Sequence, residues 1–158
     1  MLRLIPPPLH RLGLRIAFKA RHRWRVWRKV EIVGVSVVLR DLEGRLLMVR
    51  HSYGSQMWSL PGGGLKRGED PADAARRELR EEIGCEITAL TLIGSFSEEL
   101  SGSPHTAHLF AGVLDGLPSP DRREVVEARF FPRHSLPHPM SPLASKRIDM
   151  WFAYRRNS

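Results

Sequence analysis

The stretch "LPGGGLKRGEDPADAARRELREEIGC", residues 60–85, places three glycines behind a proline and ends in a segment crowded with glutamates. Asp70 before Pro71 predicts a helix start, because aspartate caps helix N-termini and proline suits the first helical position. Gly84 stands where a left-handed glycine commonly ends a helix. The stretch therefore predicts a glycine-rich loop followed by a helix over about Pro71–Ile83.

The predicted helix has two different faces. Four apolar residues share one side and are expected to face a sheet: Ala72, Ala75, Leu79 and Ile83. Glu78, Glu81 and Glu82 occupy an adjacent sector, where the small Ala74 leaves room above it. Like charges one turn apart destabilise a helix by about a few tenths of a kcal/mol. The crowding therefore indicates either a solvated face balanced by the neighbouring arginines or a site for a cation.

The loop before the helix favours the second alternative. Gly62, Gly63 and Gly64 allow a ligand to approach the main chain closely. Lys66 and Arg67 in the same loop suit a phosphate group. Carboxylates without histidine or cysteine suit hard cations such as Mg²⁺ or Mn²⁺, which bind phosphates together with protein carboxylates. The whole stretch therefore predicts a phosphate-handling metal site.

Seven residues of the stretch have the identities and spacing of a known signature, the Nudix box: Gly63, Glu69, Arg77, Glu78, Glu81, Glu82 and Gly84. Leu79 and Cys85 fill its two apolar positions. At background frequencies of about 1 in 15 per residue, seven matches arise by chance with a probability on the order of 10⁻⁸. The chain thus resembles the Nudix hydrolases, the MutT-like pyrophosphohydrolases. The similarity covers roughly residues 34–136 and excludes the N-terminal segment.

The resemblance implies a fold and an activity. The expected fold is an α/β/α sandwich around a mixed β-sheet. The expected activity is a divalent-metal-dependent hydrolase, with Mg²⁺ or Mn²⁺ as cofactor, that cleaves a pyrophosphate bond by water attack. Its substrate would be a nucleoside diphosphate linked to another small-molecule group.

The resemblance also implies roles for individual residues. It assigns metal binding to four carboxylates: Glu78, Glu81, Glu82 and Glu124. Of these, Glu81 either completes the metal site or activates the attacking water, and Glu124 is favoured over Glu127 as the ligand from outside the box. Arg77 would orient a catalytic glutamate through a charge-assisted hydrogen bond. Gly63 would permit the close geometry of the loop.

The rest of the chain alternates between strand and helix patterns. Segments rich in β-branched and alternating apolar residues predict strands within 30–39, 45–51, 85–99, 106–114 and 126–131. The turn at residues 41–44 joins the first two strands into a hairpin. A C-terminal helix is expected from Pro142, with Ser141 as its cap. Strands interleaved with helices predict a layered α/β domain.

Composition sets broad limits on the class of protein. A length of 158 residues, with 42% apolar and 27% charged residues, suits one globular domain. The single cysteine, Cys85, excludes an internal disulfide and favours a reducing, cytoplasmic location. The longest apolar run, residues 32–39, is too short to span a bilayer.

The positive charge lies in an N-terminal arm, residues 1–29, ahead of a predicted Nudix domain at 30–158. Residues 1–30 hold nine Lys and Arg and no acid, whereas the remainder has 16 basic and 17 acidic residues. Six apolar residues of the arm fall along one helical stripe: Leu9, Leu12, Ile16, Ala20, Trp24 and Trp27. A helical or extended arm docked on the body or on a second subunit is favoured, which makes a homodimer plausible. An anionic membrane, a nucleic acid and an organellar presequence stay open.

Two other functions compete with the small-molecule hydrolase. One is an RNA-end processing enzyme that uses the basic arm, and the other is a non-catalytic, nucleotide-sensing module. The intact box argues against the sensing module. Five ring-bearing residues are candidates for a base or sugar pocket: His51, Tyr53, Trp58, His105 and His108. Packing is the favoured role for Trp58, and surface or strand positions are favoured for the histidines.

Overall fold

The computed structural model describes residues 32–100, 103–120 and 122–158, together with the isolated positions Gly13, Ile16 and Ala17. Those three positions have helical backbone. The rest of the predicted arm, and its boundary with the domain, lie outside the described residues. The elements are β1 Ile32–Arg40, β2 Leu46–His51, β3 Gly62–Gly64, α1 Pro71–Ile83, β4 Leu90–Leu100, β5 Ser103–Val113, β6 Val125–Phe131 and α2 Pro142–Asn157.

The strands form one mixed six-stranded sheet in the order β4-β5-β1-β2-β6, with β3 paired to β1. The β1–β5 pair is parallel and the other pairs are antiparallel. β1 is shared along its length: Arg40 faces Leu46 of β2, as the predicted hairpin requires, while Gly34 faces Gly64 and Ser36 faces Gly62 of β3. The glycine-rich segment therefore lies beside the first half of the central strand.

Each face of the sheet is covered by one helix. α1 packs with Val35, Val37 and other residues that alternate along the strands, and α2 packs with Val38 and Leu109 on the opposite face. This arrangement confirms the predicted α/β/α sandwich. No helix among the described residues is long and apolar enough to cross a membrane.

Helix α1 has the predicted bounds and caps. The carboxylate of Asp70 accepts from the backbone N–H of Ala72 at 2.8 Å, and Gly84 has a left-handed φ of 66°. Three of the four residues expected to face the sheet, Ala75, Leu79 and Ile83, are fully buried, while Ala72 is partly buried against them. The prediction that the small Ala74 leaves room beside the glutamates is wrong. Ala74 is fully buried in the same core, because the helix packs closely enough to cover that sector as well.

Two other local predictions need correction. The strand expected within residues 85–99 begins at Leu90, and residues 84–89 form an irregular connection after α1. Ser141 precedes α2 as predicted, but its hydroxyl makes no capping hydrogen bond. The backbone N–H of Ser141 instead donates to the carbonyl of Trp58 at 2.8 Å, so main-chain contacts anchor the start of this helix.

Candidate functional site

Two carboxylates of α1 lie directly against the glycine strand β3. The backbone N–H of Gly62 donates to Oε2 of Glu82 at 2.9 Å. A Cβ on Gly63 would stand 2.5 Å from the carboxyl carbon of Glu78, a contact that no real side chain makes. The predicted pair Glu78 and Glu82 therefore meets the glycine-rich segment, which the sequence predicts to be a loop but which forms strand β3 because it pairs with β1. The absence of a side chain at Gly63 is what allows the approach.

Arg77 ties the loop to the helix. Its Nε and Nη2 donate to the two carboxylate oxygens of Glu69 at 2.8 and 2.9 Å, and Nη2 also reaches the carbonyl of Gly64 at 3.0 Å. Its Nη1 donates to Oε1 of Glu78 at 2.7 Å and lies 3.3 Å from Glu81. Arg77 thus makes a charge-assisted hydrogen bond to Glu78, and its role in orienting a catalytic glutamate stays a prediction.

The same contacts explain Glu69, whose role the sequence left unspecified. Glu69 bonds Arg77 through both oxygens and also accepts the backbone N–H of Lys66 at 2.8 Å. The hydrogen bond from Arg77, supported by that from Lys66, lowers the pKa of Glu69 to about 2. Glu69 in turn raises the pKa of Arg77 further above its usual range. The pair is therefore charged at all ordinary pH values and closes the loop over the helix start.

Glu78 and Glu82 differ in how their charges are balanced. Burial raises the pKa of Glu78, the charges of Glu82 and Glu81 act in the same direction, and the hydrogen bond from Arg77 only partly opposes them. Glu82 is 4% exposed and is held by Gly62 on one oxygen and by a histidine on the other. The site therefore concentrates negative charge that one arginine does not fully balance.

The histidine at Glu82 is His51, the last residue of β2. Its Nε2 lies 2.6 Å from Oε1 of Glu82. Burial lowers the pKa of His51, but the bond to Glu82 and the charges of Glu82, Glu124 and Glu78 outweigh it, so the pKa is raised. The sequence makes His51 a candidate for a base or sugar pocket but favours a surface or strand position for it. The residue is in a strand, but no local pattern predicts its contact with a helix 31 residues further along the chain.

The remaining predicted site residues lie around this centre. Glu124 precedes β6, its carbonyl accepts the backbone N–H of Ser52 at 2.8 Å, and its charge acts on His51. The alternative carboxylate, Glu127, forms an ion pair with Arg50 on the neighbouring strand. Glu81 is 55% exposed, and Lys66 and Arg67 are exposed in the loop between β3 and α1.

The donor atoms at the site fit a divalent cation in type. Carboxylate oxygens without thiolates suit hard ions such as Mg²⁺, and Glu78 and Glu82 present such oxygens from successive turns of α1. Within residues 32–100, 103–120 and 122–158, no three acidic, histidine or cysteine side chains converge closely enough to hold an ion as they stand. The full predicted set of four carboxylate ligands therefore stays a prediction.

A small cavity of about 180 Å³ opens beside His51. Its lining includes His51, Tyr53, Gln56, Met57, Ser59 and Ser141. The rings of His51 and Tyr53 lie 5.3 Å apart, centre to centre. The other pocket candidates are elsewhere: Trp58 packs edge-on against Phe131 in the core, and His105 is buried on the α2 face of the sheet. His108 pairs with Ser95 on β4.

Comparison with known proteins finds a family that matches most of the chain and curated relatives that match parts of it. The family described as NUDIX domain matches residues 30–152. A curated RNA pyrophosphohydrolase of Saccharophagus degradans is 46% identical over 50 residues, which are 32% of this chain and 29% of that protein. An oxidized purine nucleoside triphosphate hydrolase of Mus musculus is 35% identical over 86 residues, 52% of this chain and 55% of that protein. The chain thus spans less than two thirds of either relative.

A crystal structure of a MutT NUDIX hydrolase from Burkholderia pseudomallei superposes with a TM-score of 0.69. The superposition covers 77% of this chain and 98% of the other, at 21% sequence identity. At that identity the similarity establishes the fold alone.

Proposed function

The chain belongs to the NUDIX family, and on that premise we propose that it hydrolyses a pyrophosphate bond in a nucleoside diphosphate-linked small molecule, using a divalent metal and water. One observation carries the proposal: the carboxylates of Glu78 and Glu82 lie in direct contact with the backbone of the glycine strand. A pyrophosphate placed along this strand would meet backbone rather than side chains. The carboxylates would lie within reach of its charged oxygens.

Glu78 and Glu82 are the proposed principal metal ligands, with Glu81 and Glu124 as further ligands. A bound Mg²⁺ or Mn²⁺ supplies charge neutralisation of the phosphates, stabilisation of the leaving group and a lower pKa of bound water. The imperfectly balanced negative charge around Glu78 gives a physical reason for a cation to bind there.

The chain's own residues divide the remaining work. Arg77 holds Glu78 in place and fixes the loop through Glu69 and Gly64. Glu81, whose side chain is exposed and lies 3.3 Å from Nη1 of Arg77, would either complete the metal site or take a proton from the attacking water. Lys66 and Arg67 would attract the phosphates to the loop.

The cavity beside His51 would receive the group attached to the diphosphate. It combines two rings with hydroxyl and amide groups, which suits a flat polar substituent such as a base. His51 forms the boundary between this cavity and Glu82. The proposed substrate would therefore extend from the glycine strand past His51.

The experiment is a screen of nucleoside diphosphate compounds with Mg²⁺ and with Mn²⁺, measuring released phosphate, pyrophosphate and nucleotide. Glu78→Gln and Glu82→Gln are the inactive controls, and Glu99→Gln, an exposed change on β4, is the matched active control. Hydrolysis by the wild type and the Glu99 variant alone supports the proposal. Tight nucleotide binding without turnover would support the sensing module instead.

A second candidate, an RNA-end processing enzyme, is favoured by the curated relative described as an RNA pyrophosphohydrolase and by nine basic residues ahead of the domain. A triphosphorylated RNA oligonucleotide should then bind more weakly as salt rises, because bound phosphates release counterions. Replacing Arg21, Arg23, Arg25 and Arg28 with glutamine should flatten that salt dependence. A small nucleotide substrate should lose little kcat/KM in the same variant.

A further inference from the structure

A second charged cluster lies on the opposite face of the sheet, under α2. Arg147 of α2 is 5% exposed; its Nη2 donates to Oε1 of Glu98 on β4 at 2.7 Å, and its Nη1 donates to the hydroxyl of Ser36 on β1. Glu98 also contacts Nδ1 of His105 and Nζ of Lys146, each at 3.1 Å. One helix residue is thus bonded to two separate strands.

The cluster contacts the rear of the candidate site. Ser36 faces Gly62 across the β1–β3 pair, and the backbone N–H of Gly62 is the donor to Glu82. A Cβ on Gly34, the next position on the same side of β1, would lie 3.1 Å from Nε2 of His105 and 3.2 Å from the carbonyl of Gly63. Ser36 and His105 therefore adjoin the strand on which Glu78 and Glu82 rest.

Stability alone does not require such a cluster. Burial lowers the pKa of Arg147 despite the opposing effect of Glu98. Within the described part of the chain, the Nε–H of Arg147 is buried with no acceptor. Well-packed apolar residues often stabilise a core at least as well as a buried ion pair. What an apolar residue cannot supply is a directed bond to Ser36.

We propose that Arg147 is a positioning residue that, through Ser36, holds β1 and the adjoining glycine strand where the N–H of Gly62 meets Glu82. The part of this inference that concerns catalysis rests on the proposed function. The part that concerns the position of Gly62 does not. α2, which lies outside the box and on the far side of the sheet, thereby sets the geometry of the site.

The test separates a positioning role from a merely structural one. Arg147→Met leaves Glu98 buried with less balance, which should lower Tm whichever role is correct. Adding Glu98→Gln removes that charge, so the double variant should recover most of the Tm. Ser36→Ala removes only the acceptor on β1. Arg133→Met is the matched control, because Arg133 also packs on α2, 4.0 Å above the ring of Phe152, and is not among the described partners of Glu98, Ser36 or Arg147.

The measurements are the hydrogen-exchange rate of the Gly62 amide and the kcat and KM of the best substrate. We expect the double variant to recover Tm but to keep a Gly62 exchange rate about tenfold faster and a kcat about tenfold lower, with KM within about threefold, as for other residues that orient a site from behind. Ser36→Ala should likewise speed exchange at Gly62 and lower kcat. Arg147→Lys should restore part of the wild-type exchange rate and kcat, and Arg133→Met should change neither quantity.

Recovery of Tm together with wild-type exchange at Gly62 and wild-type kcat would overturn the proposal. If the wild-type protein hydrolyses none of the compounds, the proposed function fails while exchange at Gly62 still decides the positioning role. Wild-type exchange in both the double variant and Ser36→Ala would then reject it.

Discussion

Gly63 is the residue at which the site most directly requires the absence of a side chain. A methyl group there would stand 2.5 Å from the carboxyl group of Glu78, which Arg77 holds in place. Gly63→Ala should therefore reduce hydrolysis at least about 100-fold, since misplaced catalytic groups are costly. Circular dichroism should still show a folded protein.

The matched control is Gly94→Ala on β4, whose new methyl would meet only the movable ring of Phe96 at 3.3 Å. It should keep at least about half of the wild-type activity. Equal activity in the two alanine variants would contradict the account of the glycine strand.

Glu78 carries a prediction about pH and stability. Its pKa is raised in the folded state, so the folded protein favours the protonated form, and stability is lost as pH rises from about 4.5 through the raised value. Glu78→Gln should therefore raise Tm at pH 7 in the presence of a chelator and should not raise it below pH 4.5. Thermal melts from pH 4 to 8 check this, with Glu99→Gln as the exposed comparison. A lower Tm for the Glu78 variant at pH 7 would count against the charge imbalance.

Glu69 should show the opposite pH dependence. Its pKa is lowered to about 2 by Arg77 and the backbone of Lys66, so its contribution is complete above about pH 4.5 and is lost as pH falls through about 2. Glu69→Gln should lower Tm by a constant amount between pH 5 and 8, and the difference should shrink below pH 4.5. Melts at closely spaced pH values test this. A difference that grows on acidification would exclude the Glu69–Arg77 contact as its cause.

At the scale of the element, α1 could be predicted to its terminal residues because its signals are local. Asp70, Pro71 and Gly84 each act on the backbone within a few residues of themselves. The crowding of Glu78, Glu81 and Glu82 on one side of α1 could be predicted for the same reason, as their spacing is that of one helix, whereas their metal binding stays a prediction. The first residue of β4 and the absence of a side-chain cap at Ser141 could not be predicted from the sequence. Tertiary contacts decide where this strand starts and how α2 begins.

The contacts that sequence reasoning missed join distant elements of the fold. His51 reaches Glu82 from the end of β2, and Arg147 reaches Ser36 across 111 residues. Neither His51 nor Arg147 has a residue nearby in the sequence that would indicate its partner. Single histidines and arginines are common on strands and helices, so their contacts become visible only when the sheet order is known.

The end of α1 also carries a prediction. Gly84 has a φ of 66°, and a Cβ there would stand 2.6 Å from the carbonyl of Ser119. Gly84→Ala should lower the free energy of unfolding by more than the roughly 1–2 kcal/mol of a left-handed alanine. Gly44→Ala, with a φ of 81° and open space around the new methyl, isolates the backbone cost. Urea unfolding of both variants measures the difference; equal losses would mean that the Ser119 contact relaxes freely.

At the scale of the whole molecule, two charged clusters lie on opposite faces of the sheet. The carboxylates lie on the α1 face and Arg147 lies on the α2 face. The strands β1 and β3 stand between them at the glycine strand. The cytoplasmic location, the homodimer and the role of the arm stay predictions. The roles of Glu78, Glu82 and Arg147 concern the described domain alone.

The proposed function requires Glu82, held against the glycine strand, for hydrolysis of a pyrophosphate bond. The most direct measurement compares wild type and Glu82→Gln for release of nucleotide and phosphate from nucleoside diphosphate compounds with Mg²⁺ or Mn²⁺. The account predicts turnover by the wild type and a loss of at least about 100-fold in kcat for the variant, as expected when a charged catalytic group is removed. A Glu82→Gln protein that hydrolyses the same compound at the wild-type rate would contradict it.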